Sequence, residues 1–248
     1  MSHHIVEVRD VHFAYPDGTD ALRGISMRIE HGESAALVGC NGAGKSTLLM
    51  HLNGYLPTQL GEIRIGDIPL SRGTVATARR AVGMVFQDPD DQLFMPTVAE
   101  DVAFGPLNAG LPPREVEHRV AAALARVGMT EVRNRPPYRL SAGEKRAVAI
   151  ATVLAGEPDI LVMDEPSSNL DPRARRRLIE LLRSFEHTKI IATHDLDLVL
   201  EVCQRVIVMD GGRAVADGPV TEILGNEELM LAHGLELPGL LRRRNALP

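Results

Sequence analysis

The chain has 248 residues, of which 44% are hydrophobic, 24% charged and 3% aromatic; this excludes disorder over most of its length and fits one large domain or two lobes sharing a core. A formal net charge of −6 and the lack of Trp exclude a general nucleic-acid binder or a base-stacking platform. Two cysteines, Cys40 and Cys203, are too few for a disulfide framework or a four-ligand zinc site, and fit a reducing cytoplasm.

The N-terminal MSHHIVEVRD has no apolar signal-peptide core, and no run of about 18 apolar residues is present to span a membrane. In chain order, Ile5–Phe13 and Gly24–Ile29 read as strands. Ser34–Val38 is a short apolar strand followed by glycines and a helical pattern over Lys45–Leu52. Glu62–Ile65 and Val82–Phe86 read as further strands. Between about Pro89 and Arg139 the character becomes helical and Pro-punctuated, with helices predicted at Val98–Phe104 and Arg114–Val127. A helix over Ala142–Leu154 follows. Strands Ile160–Met163, Lys189–Ala192 and Arg205–Met209 then alternate with helices Arg173–Phe185 and Leu196–Val202, which predicts a parallel sheet covered by helices. A short helix begins near Asn226, and Arg242–Arg244 reads as a solvated basic end. His3, His4, His12, His31, His51, His118, His187 and His233 form no metal-ligand spacing. Met50, Met84 and Met163 read as core, and Arg173, Arg175, Arg176 and Arg177 as a mostly exposed basic face.

The most specific motif is Gly39-Cys40-Asn41-Gly42-Ala43-Gly44-Lys45-Ser46, a full match to G-x-x-x-x-G-K-[ST] placed between a strand and a helix. Glycines let successive N–H groups converge on one anion, and the helix adds its positive end. Lys45 supplies a charge for the β/γ-phosphates and Ser46 a hydroxyl for Mg²⁺. Ile160-Leu-Val-Met-Asp164-Glu165 supplies two carboxylates at a strand's C-terminal end, where parallel sheets bind ligands. Asp164 suits Mg²⁺ and Glu165 suits a general base on water. Taken alone, such a strand end is commonplace; beside a phosphate loop it points to nucleotide hydrolysis.

Leu140-Ser141-Ala142-Gly143-Glu144 resembles the signature of the ATP-binding-cassette (ABC) ATPases, and it is also a capping box in its own right. The resemblance implies that Ser141, Ala142, Gly143 and Glu144 face ATP held by the other subunit of a head-to-tail dimer. It implies further that Tyr15 stacks on adenine, and that Gly39, Asn41, Gly42, Ala43, Gly44, Lys45, Ser46 and Thr47 bind ATP. Gln87 ends a strand and resembles the Gln that senses Mg²⁺ and water, making Ser46, Gln87 and Asp164 the expected Mg²⁺ set. Ser168-Asn-Leu-Asp171 resembles the loop that crosses the dimer interface, and His194 resembles the residue that grips the γ-phosphate, completing a catalytic set of Glu165, His194 and Gln87. Ala142 stands where the family usually has Gly, which implies reduced rather than absent activity.

The implied fold is α/β: a P-loop NTPase core with a largely parallel sheet, an N-terminal antiparallel β subdomain and an α-helical signature subdomain. One ABC domain is expected over residues 1–225, with the helical part inserted at about 89–155, then a C-terminal helix and basic tail over 226–248. Phe86-Gln-Asp-Pro-Asp-Asp-Gln-Leu-Phe94 and Pro96–Asn108 resemble the ATPases of energy-coupling-factor (ECF) importers, and Thr193–Val199 resembles their cobalt/nickel branch. The resemblance implies ATP and Mg²⁺ as cofactors, a homodimer or a second ABC ATPase, a transmembrane coupling protein, a membrane substrate-binding subunit, and a place on the cytoplasmic face of the membrane. A vitamin importer, a soluble non-transport ABC ATPase and a low-turnover regulatory module stand as alternatives. Asp88, Asp90 and Asp91 beside Leu93, Phe94 and Met95 predict an apolar floor with an acidic edge, suited to a basic amphipathic helix of a partner.

Overall fold

The structure, a computed structural model, describes residues 6–245; Ile5, His3 and His4 lie outside the described residues. Its first part comprises β1 (Val6–Ala14), β2 (Asp20–Ile29), β3 (Ser34–Val38), α1 (Lys45–Leu52), β4 (Leu60–Ile65), β5 (Ile68–Pro69), α2 (Val75–Ala81) and β6 (Val82–Val85). A helical layer follows: α3 (Val98–Asn108), α4 (Pro113–Arg126) and α5 (Ala142–Leu154). The chain then alternates through β7 (Ile160–Asp164), α6 (Pro172–Ser184), β8 (Thr188–Ala192), α7 (Leu196–Val202), β9 (Arg205–Asp210) and β10 (Arg213–Pro219). It closes with α8 (Val220–Gly225), α9 (Glu227–Ala232) and α10 (Gly239–Asn245).

Two sheets result. An antiparallel sheet runs in the order β2-β1-β4-β5, and a six-stranded sheet in the order β10-β9-β3-β8-β7-β6. In the larger sheet β9, β3, β8, β7 and β6 are mutually parallel and β10 pairs antiparallel with β9. Both faces of the parallel strands are covered. Ile160 and Val162 of β7 enter the core shared with α1 and the antiparallel sheet, while Leu161 and Met163 enter the core shared with α3–α8. A strand buried on both faces reads as a largely apolar run, which is why β3 and β7 are legible without polar alternation.

The elements not anticipated in the sequence lack such a signal. In α2 only Ala78 is buried. β10 is an edge strand with no buried residue, held to β9 through the Gly211-Gly212 turn, where both glycines have positive φ. The C-terminal segment is integral to the core: Leu224 and Met230 are fully buried and Leu235 nearly so. The expected solvated end at Arg242–Arg244 lies within helix α10. The Leu240 N–H donates to Asp197 Oδ1 (3.0 Å) and Arg242 pairs with Glu236. Arg175 also departs from an exposed basic face: it forks onto Asp195 at 2.8 and 3.1 Å and reaches Glu201 at 3.1 Å, joining α6 to α7.

Candidate functional site

The C-terminal ends of β3, β6, β7 and β8 converge on one edge of the parallel sheet, and each carries part of the site. After β3 the chain turns through Gly39, Gly42 and Gly44, with φ of 154°, 81° and 97°. At two of these positions the space is as decisive as the torsion. A Cβ on Gly39 would lie 2.1 Å from the Met209 carbonyl oxygen, and one on Gly44 would lie 2.4 Å from that of Ala21. The loop is therefore seated against the β9–β10 turn and β2, with the Gly212 N–H donating to the Ala43 carbonyl at 3.2 Å. Lys45 opens α1 and is buried. Its ammonium donates to the carbonyls of Gly39 (2.7 Å) and Cys40 (3.1 Å), spanning the loop from inside. Burial lowers its pKa, against the opposing pull of Glu165 and Asp164.

β7 delivers Asp164 and Glu165 side by side, both under a tenth exposed. Burial raises the Asp164 pKa; a hydrogen bond with the Ser46 hydroxyl and the charges of Lys45 and Arg146 oppose that rise, and Glu165 adds to it. Asp164 Oδ1 is buried without a hydrogen-bond partner. Glu165 has φ of 45°, an uncommon conformation for a non-glycine residue and one that concentrates at functional sites. It is held by its own N–H to the Ala192 carbonyl at 2.8 Å and by three groups on Oε2: Thr193 Oγ1 at 3.1 Å, the His194 N–H at 3.2 Å and His194 Nδ1 at 2.8 Å. His194 itself stands 69% exposed, so one ring nitrogen meets the carboxylate while the other faces outward.

Tyr15 lies against the same helix. Its hydroxyl is 3.1 Å from Thr47 Oγ1, and its ring meets Phe13 edge to face at 5.0 Å. His51, one of the scattered histidines in the sequence, is fully buried one turn further along α1; its Nδ1 lies 2.7 Å from the Thr47 carbonyl and burial lowers its pKa. Gln87 follows β6 with an exposed side chain. Its backbone carbonyl and that of Phe86 accept from the guanidinium of Arg146 on α5, at 2.5 and 2.7 Å. Within the sequence Arg146 belongs to a Glu-Lys-Arg run that resembles the ECF ATPases, with no site role attached. Nothing in a run of residues announces that an arginine is buried, and this one is 3% exposed.

Ser141 caps α5 through a complete capping box: Glu144 Oε2 accepts from the Ser141 N–H and hydroxyl at 2.8 Å, and the Glu144 N–H donates to Ser141 Oγ at 3.3 Å. Ser141 and Ala142 are exposed. A Cβ on Gly143 would stand 3.3 Å from that of Ala174, so α5 and α6 approach closely there. Ser141, Gly143 and Glu144 border a cleft of about 650 Å³ shared with Leu170 and Asp171. Ala142, Gln87 and Ser168 border a neighbouring one of about 470 Å³. Asp171 caps α6 by accepting from the N–H groups of Arg173 (2.8 Å) and Ala174 (2.9 Å), bonds that lower its pKa.

The acidic edge and apolar floor need correction. Asp90 pairs with Lys145 at 2.5 Å, and Leu93 is buried. Phe94 of the expected floor is exposed as anticipated, but its apolar neighbours are Phe104, edge to face at 5.0 Å, and Leu107, both on α3. Asp101, buried in α3, accepts from the N–H groups of Phe94 and Met95 at 3.0 Å and fixes the loop that presents Phe94.

The chain is similar to known proteins over nearly its whole length. The family model described as "ABC transporter" matches residues 22–168. A protein of Geobacter sulfurreducens named as an ABC transporter ATP-binding protein is 66% identical over 96% of each chain. The energy-coupling factor transporter ATP-binding protein EcfA of Methanothermobacter thermautotrophicus is 48% identical, over 94% of this chain and 77% of its own. Among solved structures, cbiO1 of Clostridium perfringens, part of the ABC transporter complex cbiONQ, superposes with a TM-score of 0.82 at 40% identity, covering 98% and 99% of the two chains. A dimeric ATP-binding cassette in a post-hydrolysis state, bound to ADP and Pi, gives 0.79 at 27% identity over 87% of this chain and 98% of its own.

Proposed function

The chain belongs to the ABC transporter ATPases, and on that premise we propose that it is the ATP-hydrolysing subunit of an ECF importer whose cargo is cobalt or nickel. The observation that carries the proposal is likeness along the whole chain: 48% identity to EcfA and near-complete coverage of cbiO1. No helix among the described residues is long and apolar enough to cross a membrane, so transport requires a transmembrane partner. The exposed Phe94, Phe104 and Leu107 form a surface suited to an amphipathic helix of that partner. The chain would thereby be held at the cytoplasmic face of the membrane, together with a membrane subunit that captures the cargo.

In this reading the phosphate loop and the N-terminus of α1 hold the ATP phosphates, with Lys45 exchanging loop carbonyls for phosphate oxygens, and Tyr15 packs against adenine. The unpartnered Asp164 Oδ1, the Ser46 hydroxyl and Gln87 fit a Mg²⁺ site by their hard oxygen chemistry. Bound Mg²⁺ would neutralise charge on the phosphates. Glu165 takes a proton from the attacking water, with Thr193 and His194 fixing its carboxylate and His194 turned toward the γ-phosphate. Ser141 and Gly143 of a second copy, or of an unlike cassette, complete the site, and Ser168 and Asp171 lie at the interface.

The test is a tagged pull-down from detergent-solubilised membranes followed by metal-uptake measurement. Small hydrophobic partners with no second cassette, and ATP-dependent uptake of cobalt or nickel, support the proposal. A vitamin-binding membrane subunit moves the cargo to the vitamin branch. No membrane partner overturns the transport role and leaves a non-transport ATPase.

A further inference from the structure

The segment from Phe86 to Gln92 follows β6 in sequence, yet three side chains fasten it to α5. Arg146 donates to the Phe86 and Gln87 carbonyls. Gln92 accepts from the Phe86 N–H at 3.1 Å and donates to the Ala149 carbonyl (2.8 Å) and Thr152 Oγ1 (2.7 Å) on α5. Lys145 holds Asp90. Of these, Arg146 is the unusual one. It is buried and bonded to carbonyls rather than to a carboxylate, and its Nε has no partner. Burying a charge in that manner is costly, and a neutral apolar side chain would pack α5 with less penalty. A planar fork, however, grips two successive carbonyls in one orientation, which a flexible ammonium cannot do. Burial lowers the Arg146 pKa, against the opposing pull of Asp88, Asp164 and Glu165.

We propose that Arg146 is a positioning residue that makes Gln87 and the N-terminus of α5 a single moving part, so that nucleotide seated against Ser141–Gly143 sets Gln87 in this chain's own site. The inference rests on the dimeric ATPase reading above, in which Ser141–Gly143 serve one site and Gln87 the other. Each chain then carries a direct mechanical link between the two ATP sites. α5 is rigid over its 13 residues and begins at a rigid capping box, so a displacement at Ser141 reaches Arg146 little more than a helical turn away without being absorbed. Because the Gln87 side chain is exposed and its backbone is the gripped part, Arg146 acts on where Gln87 sits and leaves the phosphate loop alone.

The test uses the full-length chain with Arg146→Lys and Arg146→Gln. In nucleotide-free protein, amide hydrogen exchange should rise over 86–92 and stay unchanged over 39–47. In turnover, Arg146→Gln should lower kcat on the order of 10- to 100-fold, the scale of a misplaced catalytic group. MgATP affinity should hold within about twofold, and the Hill coefficient for ATP should fall toward 1 from a value near about 2. Arg146→Lys, which keeps a single cationic donor nitrogen in place of the fork, should recover part of kcat. If Arg146→Gln does not fold, Gln92→Ala loosens the same segment from its other side and should show the same split between kcat and affinity. Turnover per bound nucleotide equal to wild type, a parallel loss of affinity, or an unchanged Hill coefficient would each overturn the proposal. Glu165→Gln is run alongside: absence of phosphate release in the wild-type chain defeats the ATPase reading itself, full turnover in Glu165→Gln reassigns the base, and loss of turnover in Glu165→Gln together with unperturbed Arg146 variants defeats only this link.

Discussion

Two edges of the molecule handle polar groups in opposite ways. Where β3, β7 and β8 end, groups are buried, strained or left unpartnered: the Lys45 ammonium, Asp164 Oδ1, and Glu165 in a left-handed conformation. Across the helical layer, several surface polar groups are satisfied within the chain, as in the Ser141–Glu144 box, the Asp90–Lys145 pair and the cap at Asp171, and Phe94, Phe104 and Leu107 stand exposed. The first edge stores cost that a polyanion and a cation can relieve. The second stores little apart from the buried Arg146, and on the proposed reading it meets another protein surface. On that reading, the difference separates the half-site for nucleotide that each chain holds from the surfaces it presents to other chains.

The largest expected effect breaks the first edge. Glu165→Gln should lower steady-state phosphate release on the order of 10²–10⁴-fold, the usual contribution of a general base, while leaving MgATP titrations unchanged; persistent turnover would reassign the base. The next breaks the second edge. Phe94→Ser combined with Phe104→Ser should weaken co-purification with the membrane partner by about 100-fold or more, as expected for paired aromatic anchors. Unaltered recovery would place docking elsewhere.

Smaller effects sharpen the contrast. Ala142→Gly removes an exposed methyl beside Ser141 and should raise turnover severalfold, on the order of the 1 kcal/mol that one methyl imposes; an equal rate would put that methyl outside the phosphate path. Asp164→Asn should stabilise the nucleotide-free chain by about 1 kcal/mol, roughly 2–4 °C in Tm. The sign follows from linkage. Burial raises the Asp164 pKa in the folded state, so the native carboxyl holds its proton when the unfolded one has lost it. Stability is highest below the ordinary carboxylate range and falls as pH rises through the raised value. The advantage of the Asn variant should therefore grow with pH over that window, and a gap that shrinks with pH would refute the assignment. Last, Asp91→Lys should reduce partner binding a few-fold in a salt-sensitive manner. It is a cleaner probe than a variant that also reverses Asp90, because Asp90 is already committed to Lys145.

Much of this protein was determined by its sequence alone. The phosphate loop, the Asp164-Glu165 strand end and the Ser141 cap each lie within a few consecutive residues, where backbone torsion, helix capping and strand burial are local matters. So do the buried strands β3 and β7, whose largely apolar runs admit few other readings. What only the tertiary structure decided are pairings between residues far apart in the chain. Arg146 grips the carbonyl of Gln87, 59 positions away; Arg175 forks onto Asp195; Lys145 neutralises Asp90; and the C-terminal segment buries Met230. An arginine on a helix reads the same in sequence whether it faces water or a carbonyl. Its environment is set by which strands and helices pack around it, and so by the summed burial of many residues rather than by its neighbours in the chain.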